Sequence, residues 1–251
     1  MNKSITHQIF IVGNAHSGTT LLKNILNNND NTFTLNDETH FFSTFDQIKE
    51  VYNYDKNPDK LFEFVSFILN IIQKRGYQVI YNFDYKNNRF RLFKSYKEEA
   101  NKIIEQGFVT HKNSHAKNFE NTINYLAIQN NKSFRIEKSP FHIFHIDTII
   151  KYISNPLFIE IVRDPRNIIS SRKLRSKTHQ EKYIILRDTL EWIKSVKAGL
   201  KYRKKYPDVI YTVTYENLIH NPKQTINNIC SFLHLNFSDT MLDVEHIQKI
   251  P

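Results

Sequence analysis

The stretch Gln8–Asn28, QIFIVGNAHSGTTLLKNILNN, decides how the rest of the chain reads. Gln8–Val12 is a short apolar, β-branched run, which predicts a buried strand. A loop bounded by Gly13 and Gly18 follows, and Thr19–Leu26 then carries apolar residues at helical spacing. Strand, glycine-bounded loop and helix in that order make an anion cradle, because loop amides and the helix N-terminus converge on one point. The chain holds only 5 glycines, and two of them bracket this loop. A tight strand-to-helix turn without a ligand is the plainer alternative.

At 251 residues, one domain with a sizeable core is expected. The formal net charge of +10 suits an anionic ligand, nucleic acid or an acidic surface. Lys151–Lys205 is the most basic stretch; it either lines a nucleotide pocket or forms solvated helical faces. Cys230 is the single cysteine, which excludes an intrachain disulfide and a thiolate metal site and suits a small core residue. MNKSITHQIF has no apolar core of a signal peptide, and no window approaches a membrane span, so the sequence reads as soluble and cytoplasmic.

Phe33–Leu35 reads as a second strand, and Asn36-Asp-Glu-Thr-His-Phe-Phe42 lies at its end. Acidic residues at a strand's carboxyl end sit where open α/β sheets place their chemistry, so Glu38 is a candidate general base and Asp37 its neighbour. Both could equally cap the next helix. Residues 44–131 read as a helical insertion or lid that shapes an acceptor site. Within it Lys60–Arg75 is a strong helix with Gly76 as its stop, Gln78–Phe83 a strand, and Ser95–Gln106 and Phe119–Asn130 further helices. His111 and His115 stand at i, i+4, but solvated histidines are the better reading than metal ligands.

Ser133–Glu137 is the next strand, and Lys138, fixed by Pro140, is placed to reach a phosphate. A helix over Phe141–Tyr152 is expected to leave His142 and His145 on a partly exposed face. Leu157–Val162 is a buried strand that runs directly into Arg163-Asp-Pro-Arg-Asn-Ile-Ile-Ser-Ser171. Pro165 suits a first helical position, and Arg163 and Ser171 together offer a charged fork and a hydroxyl for a phosphate. A basic helix start with a solvated Arg–Asp pair is the plainer reading. Glu181–Lys205 is a long helix with Trp192 and Leu200 on its apolar face. Asp208–Val213 is the last strand, followed by Tyr215-Glu-Asn-Leu218 and a helix over Lys223–Leu233.

The loop resembles a Walker A motif, but Thr19 stands where an NTPase carries its lysine. In four ordered blocks, Gly13–Leu22, Asn36–Phe42, Glu137–Ser171 and Val213–Leu235, the chain resembles the PAPS-dependent sulfotransferases, where PAPS is 3′-phosphoadenosine 5′-phosphosulfate. Its flavour is nearest to the tyrosylprotein and bacterial carbohydrate branch. The resemblance implies a three-layer α/β P-loop-like fold with a central, mainly parallel sheet flanked by helices, as a single domain over 1–251. It implies a cradle of Asn14, Ala15, His16, Ser17, Gly18, Thr19 and Thr20 for the phosphosulfate, and Arg163 and Ser171 on the 3′-phosphate with Tyr215 near the nucleotide. Glu38 would be the base, with Glu137 as runner-up, and Lys138 would steady the leaving phosphate. The implied partners are PAPS, its product PAP and a hydroxyl-bearing acceptor, with no metal and no nucleic acid. His16 departs from the family's arginine or lysine, and His40 from the arginine that the tyrosylprotein enzymes carry. A P-loop nucleotide kinase and a non-catalytic nucleotide-binding module remain the other readings.

Overall fold

The computed structural model describes residues 7–179 and 185–243. Strand β1 (His7–Gly13) leads through the loop into helix α1 (Thr19–Asn27), and β2 (Thr32–Thr34) follows. After a 3-10 turn at Phe41–Thr44 come α2 (Phe45–Val51), α3 (Asp59–Asn70), a π turn at Ile71–Arg75 and α4 (Gly76–Tyr81). A short hairpin of β3 (Phe83–Asp84) and β4 (Arg89–Phe90) precedes α5 (Lys97–Glu105), α6 (His115–Gln129) and β5 (Phe134–Lys138). A 3-10 turn at Pro140–Phe144 then leads to α7 (Ile146–Tyr152), β6 (Pro156–Val162), α8 (Pro165–His179) and α9 (Ile185–Lys205). The elements β7 (Ile210–Thr214), α10 (Tyr215–His220) and α11 (Pro222–Leu233) come last, with a 3-10 turn at Asp239–Leu242.

The fold is α/β: a central, mainly parallel sheet of order β2-β5-β1-β6-β7, flanked by helices. The pair β2–β5 is parallel with Phe33 opposite Arg135, and β6–β7 is parallel with Glu160 opposite Thr212. Contacts divide the described chain into two compact units. One holds residues 7–8, Asn31–Ser139 and Asp147–Pro156; the other holds Ile9–Asp30, Pro140–Ile146 and 157–243. In the first, Phe41 stacks on Phe119 at 4.0 Å between ring centres, and Phe64, Phe67, Tyr52 and Phe90 extend the aromatic core. In the second, Phe10 stacks on Phe158 at 5.4 Å, and Cys230 is buried with its Sγ against the Met241 sulfur, the small core residue its surroundings predict. No helix among the described residues is long and apolar enough to cross a membrane.

Several expectations need correction. Gly76 does not stop a helix; it opens α4, so Gln78–Tyr81 is helical and the strand expected over Gln78–Phe83 shrinks to Phe83–Asp84. Gly76 is selected by crowding: a Cβ there would stand 2.1 Å from the Glu38 carbonyl oxygen. His115 is not solvated but buried, with Nε2 2.7 Å from the Tyr52 carbonyl and its ring stacked on Tyr54; burial pushes its pKa down. The expected Phe141–Tyr152 helix splits into a 3-10 turn and α7, which turns His142 fully inward against Phe10 and leaves Phe144 exposed. Leu200 is exposed on α9 rather than on an apolar face. Glu181 lies outside the described residues, and α9 is described from Ile185.

Gly76→Ala is expected to lower stability by about 1–3 kcal/mol, an overpacking cost set against the small helix gain of alanine. Chemical denaturation checks this; an unchanged or raised midpoint would mean that the Glu38 backbone moves aside freely.

Candidate active site

The second unit carries the cradle. Gly13 has φ 145° and Gly18 φ 101°, and His16 between them is also left-handed at φ 67°. A Cβ on Gly13 would lie 2.4 Å from the Ile161 carbonyl oxygen, and one on Gly18 2.4 Å from the Tyr215 ring. Glycine is therefore required at both positions by conformation and by space. The loop turns on Asn14, whose carbonyl accepts from the Ser17 amide at 3.2 Å and the Ser17 hydroxyl at 2.7 Å. No side chain caps α1, and its first turn has no acidic residue, so nothing of the helix's own competes with an anion for its free N–H groups.

Strand β6 delivers Arg163 beside this loop. Its Nη1 donates to the His16 carbonyl at 3.0 Å, and its guanidinium lies 4.0 Å from the centre of the Tyr215 ring. Its Nε is buried with no hydrogen-bond partner among the described residues. Trp192 donates its indole N–H to the Arg163 carbonyl at 3.1 Å, so it fixes the strand end rather than filling the core. Helix α8 begins at Pro165, and its Ser171 Oγ lies 3.3 Å from His16 Nδ1. Asp164 is engaged by Arg166, the solvated pair that the sequence offered as an alternative, yet this leaves Arg163 turned to the loop. Arg163, Ser171, Tyr215 and His16 thus meet around one cradle. Sequence reading does not single out Arg172, which also reaches the loop; its only signal is its place next to Ser171.

The first unit carries the candidate acid–base group. Glu38 pairs with Lys138 Nζ at 2.5 Å and with His40 Nε2 at 3.1 Å. Burial alone would raise the Glu38 pKa, but hydrogen bonds from His40 and Lys138 and the charge of the lysine bring it down to about 2. The Lys138 side chain is 7% exposed and Glu38 26% exposed, so the carboxylate keeps a face to solvent. Asp37 accepts from the Glu38 amide at 2.8 Å, a local turn, and neither residue caps a helix. Glu137 is fully buried, and one of its oxygens accepts from the Thr39 hydroxyl at 2.8 Å, the Thr39 amide at 3.3 Å and the Ser139 hydroxyl at 2.5 Å. The runner-up carboxylate buckles the loop that carries Glu38.

Glycine-bounded loop, uncapped helix, and a strand-end arginine with an unmet donor meet in one unit of this α/β protein, an arrangement suited to a phosphate. The Sulfotransferase family profile matches residues 8–239, and the chain belongs to that family. It superposes on the sulfotransferase domain of the Synechococcus PCC 7002 olefin synthase with a TM-score of 0.60 at 20% identity, over 96% of this chain and 77% of that one. A sulfotransferase domain from the curacin biosynthetic pathway gives 0.58 at 17%, over 95% and 77%. A Caenorhabditis briggsae sequence named "Putative protein-tyrosine sulfotransferase" is 29% identical over 111 residues, 42% of this chain and 38% of that protein. The chain thus matches well under half the length of that curated relative.

Because the folded pKa of Glu38 lies below its ordinary 4.5, the group contributes stability that is full above that value and lost as pH falls toward 2. Thermal melts between about pH 5 and 2.5 should show wild type losing more midpoint than Glu38→Gln. Parallel acid slopes would mean that Glu38 is not ion-paired in solution.

Proposed function

We propose that this chain transfers a sulfuryl group from PAPS to the hydroxyl of an acceptor. The observation that carries the reading is the convergence of Arg163 and Ser171 on the glycine-bounded loop, with a buried Arg163 N–H left unmet. Residues 14–20 hold the phosphosulfate through backbone amides and the α1 N-terminus. Arg163 and Ser171 hold the 3′-phosphate, and the Tyr215 ring keeps the guanidinium in plane. A kinase reading is weaker, since Thr19 occupies the place of the phosphate-binding lysine.

The acceptor oxygen attacks sulfur, the bond from sulfur to the phosphate oxygen breaks, and the acceptor proton passes to Glu38. Glu38 is ionised at any physiological pH, so it needs no prior proton loss to act. Lys138 and the loop amides stabilise the charge that develops on the leaving oxygen. Lys138 pairs with Glu38 in the protein alone; once its ammonium serves the donor, Glu38 loses a stabilising charge and becomes the stronger base. Glu137 stays in the loop buckle and takes no proton. A saccharide, a lipid, a small phenol and a peptide tyrosine each present the hydroxyl that this machinery requires.

Calorimetric titration with PAP is expected to give tight binding that Arg163→Ala weakens by about 100-fold, the loss of a charged bidentate contact. ATP and 5′-AMP should bind weakly. Glu38→Gln should keep PAP affinity and lower turnover by about 100- to 10,000-fold on any acceptor that wild type sulfates. Failure of well-folded wild type to bind PAP would sink the reading, and PAP binding without turnover on any acceptor would favour a non-catalytic binding module.

A further inference from the structure

The Arg172 side chain forks three ways inside the second unit. Its Nη1 donates to Asp188 Oδ1 at 2.8 Å, and its Nη2 reaches both the Asn14 side-chain oxygen at 3.2 Å and a Glu191 carboxylate oxygen. Asp188 is fully buried and Asn14 nearly so, and the Arg172 side chain is 11% exposed. Asp188 and Glu191 are three residues apart on α9, one helical face. Arg187 also pairs with Asp188 at 3.1 Å, so two arginines balance two carboxylates.

We infer that Arg172 is a positioning residue for the nucleotide loop: the α9 carboxylates aim its guanidinium, and the guanidinium fixes Asn14, on which the loop turns. This rests on the PAPS reading only for the identity of the ligand. An ion cluster that merely stapled α8 to α9 would need Asp188 and Glu191 but no branch to the loop. The third branch ends on a side chain whose Nδ2 has no hydrogen-bond partner among the described residues, so Arg172 alone sets which way the Asn14 amide faces. The Asn14 carbonyl accepts both the amide and the hydroxyl of Ser17, and the left-handed His16 and Gly18 flank that serine. A loop with this much unusual backbone holds its amides in one direction only if its turn is tied down. Lysine cannot replace this fork, because a single ammonium lacks the planar reach to two carboxylates and an amide.

The test compares wild type, Arg172→Met, Arg172→Lys, Asn14→Ala and the Arg172→Met/Asn14→Ala double variant. Melting midpoint, PAP affinity by calorimetry, and amide exchange of residues 14–20 in the unliganded protein are measured. Arg172→Lys is expected to regain most of the stability that Arg172→Met loses, yet to bind PAP about tenfold more weakly than wild type. Its loop amides should exchange faster than wild type. The double variant should lose no more PAP affinity than Arg172→Met alone, since both changes cut one chain of contacts. Full recovery of affinity and exchange protection in Arg172→Lys would overturn the inference in favour of helix stapling, as would additive losses in the double variant. If wild type fails to bind PAP, the ligand reading falls by itself. Amide exchange then decides the positioning role alone: faster loop exchange in Arg172→Lys and Arg172→Met supports it, and unchanged exchange refutes it.

Discussion

Space for a backbone at two points governs the cradle. The Ile161 carbonyl and the Tyr215 ring each stand 2.4 Å from where a side chain would begin on Gly13 and Gly18. Each contact brings a strand or helix start against the loop, and with it a functional group two residues from Ile161 or on the ring itself. Arg163 leaves β6 at the same level and stacks on that Tyr215 ring. The glycines therefore do more than permit a turn. They let β6 and α10 approach closely enough that the Arg163 guanidinium reaches the loop.

Glu137 and Glu38 show how environment divides two similar carboxylates. Glu137 sits in β5 with no exposure, and three donors converge on one of its oxygens, which holds Thr39 and Ser139 in place. Glu38 lies on the strap so held, and the crowded backbone of Gly76 supports it from behind. Lys138 and His40 keep it ion-paired and hydrogen-bonded, while its partial exposure leaves it able to meet another molecule. One acid is given over to geometry, and the other keeps a face to solvent.

Local pattern carried much of this into the sequence. β1, α1, β6 and β7 are legible because continuous apolar runs and glycine or proline boundaries act within a few residues. Arg163 and Ser171 are legible through their fixed offset from a strand end into the helix that follows it. What fails to read is set by partners distant in sequence. Gly76 looks like a helix stop until the carbonyl of Glu38, thirty-eight residues earlier, is seen to fill the space of its Cβ. His115 looks solvated until the aromatic pair Tyr52 and Tyr54 covers it. Arg172 has no motif at all; its three partners come from a loop and a helix whose meeting only the fold creates.

The Glu38–Lys138 pair sets a tension that a working transferase must resolve. A carboxylate held at a pKa of about 2 is a poor proton acceptor, yet the proposed reaction asks Glu38 to accept one. The same lysine that depresses it is the cation suited to a leaving phosphate. Both demands are met if the ammonium serves one partner at a time: an idle protein keeps the two charges satisfied by each other, and an anionic donor competes for the lysine. Withdrawal of that charge would raise the basicity of Glu38, with His40 left to orient the carboxylate.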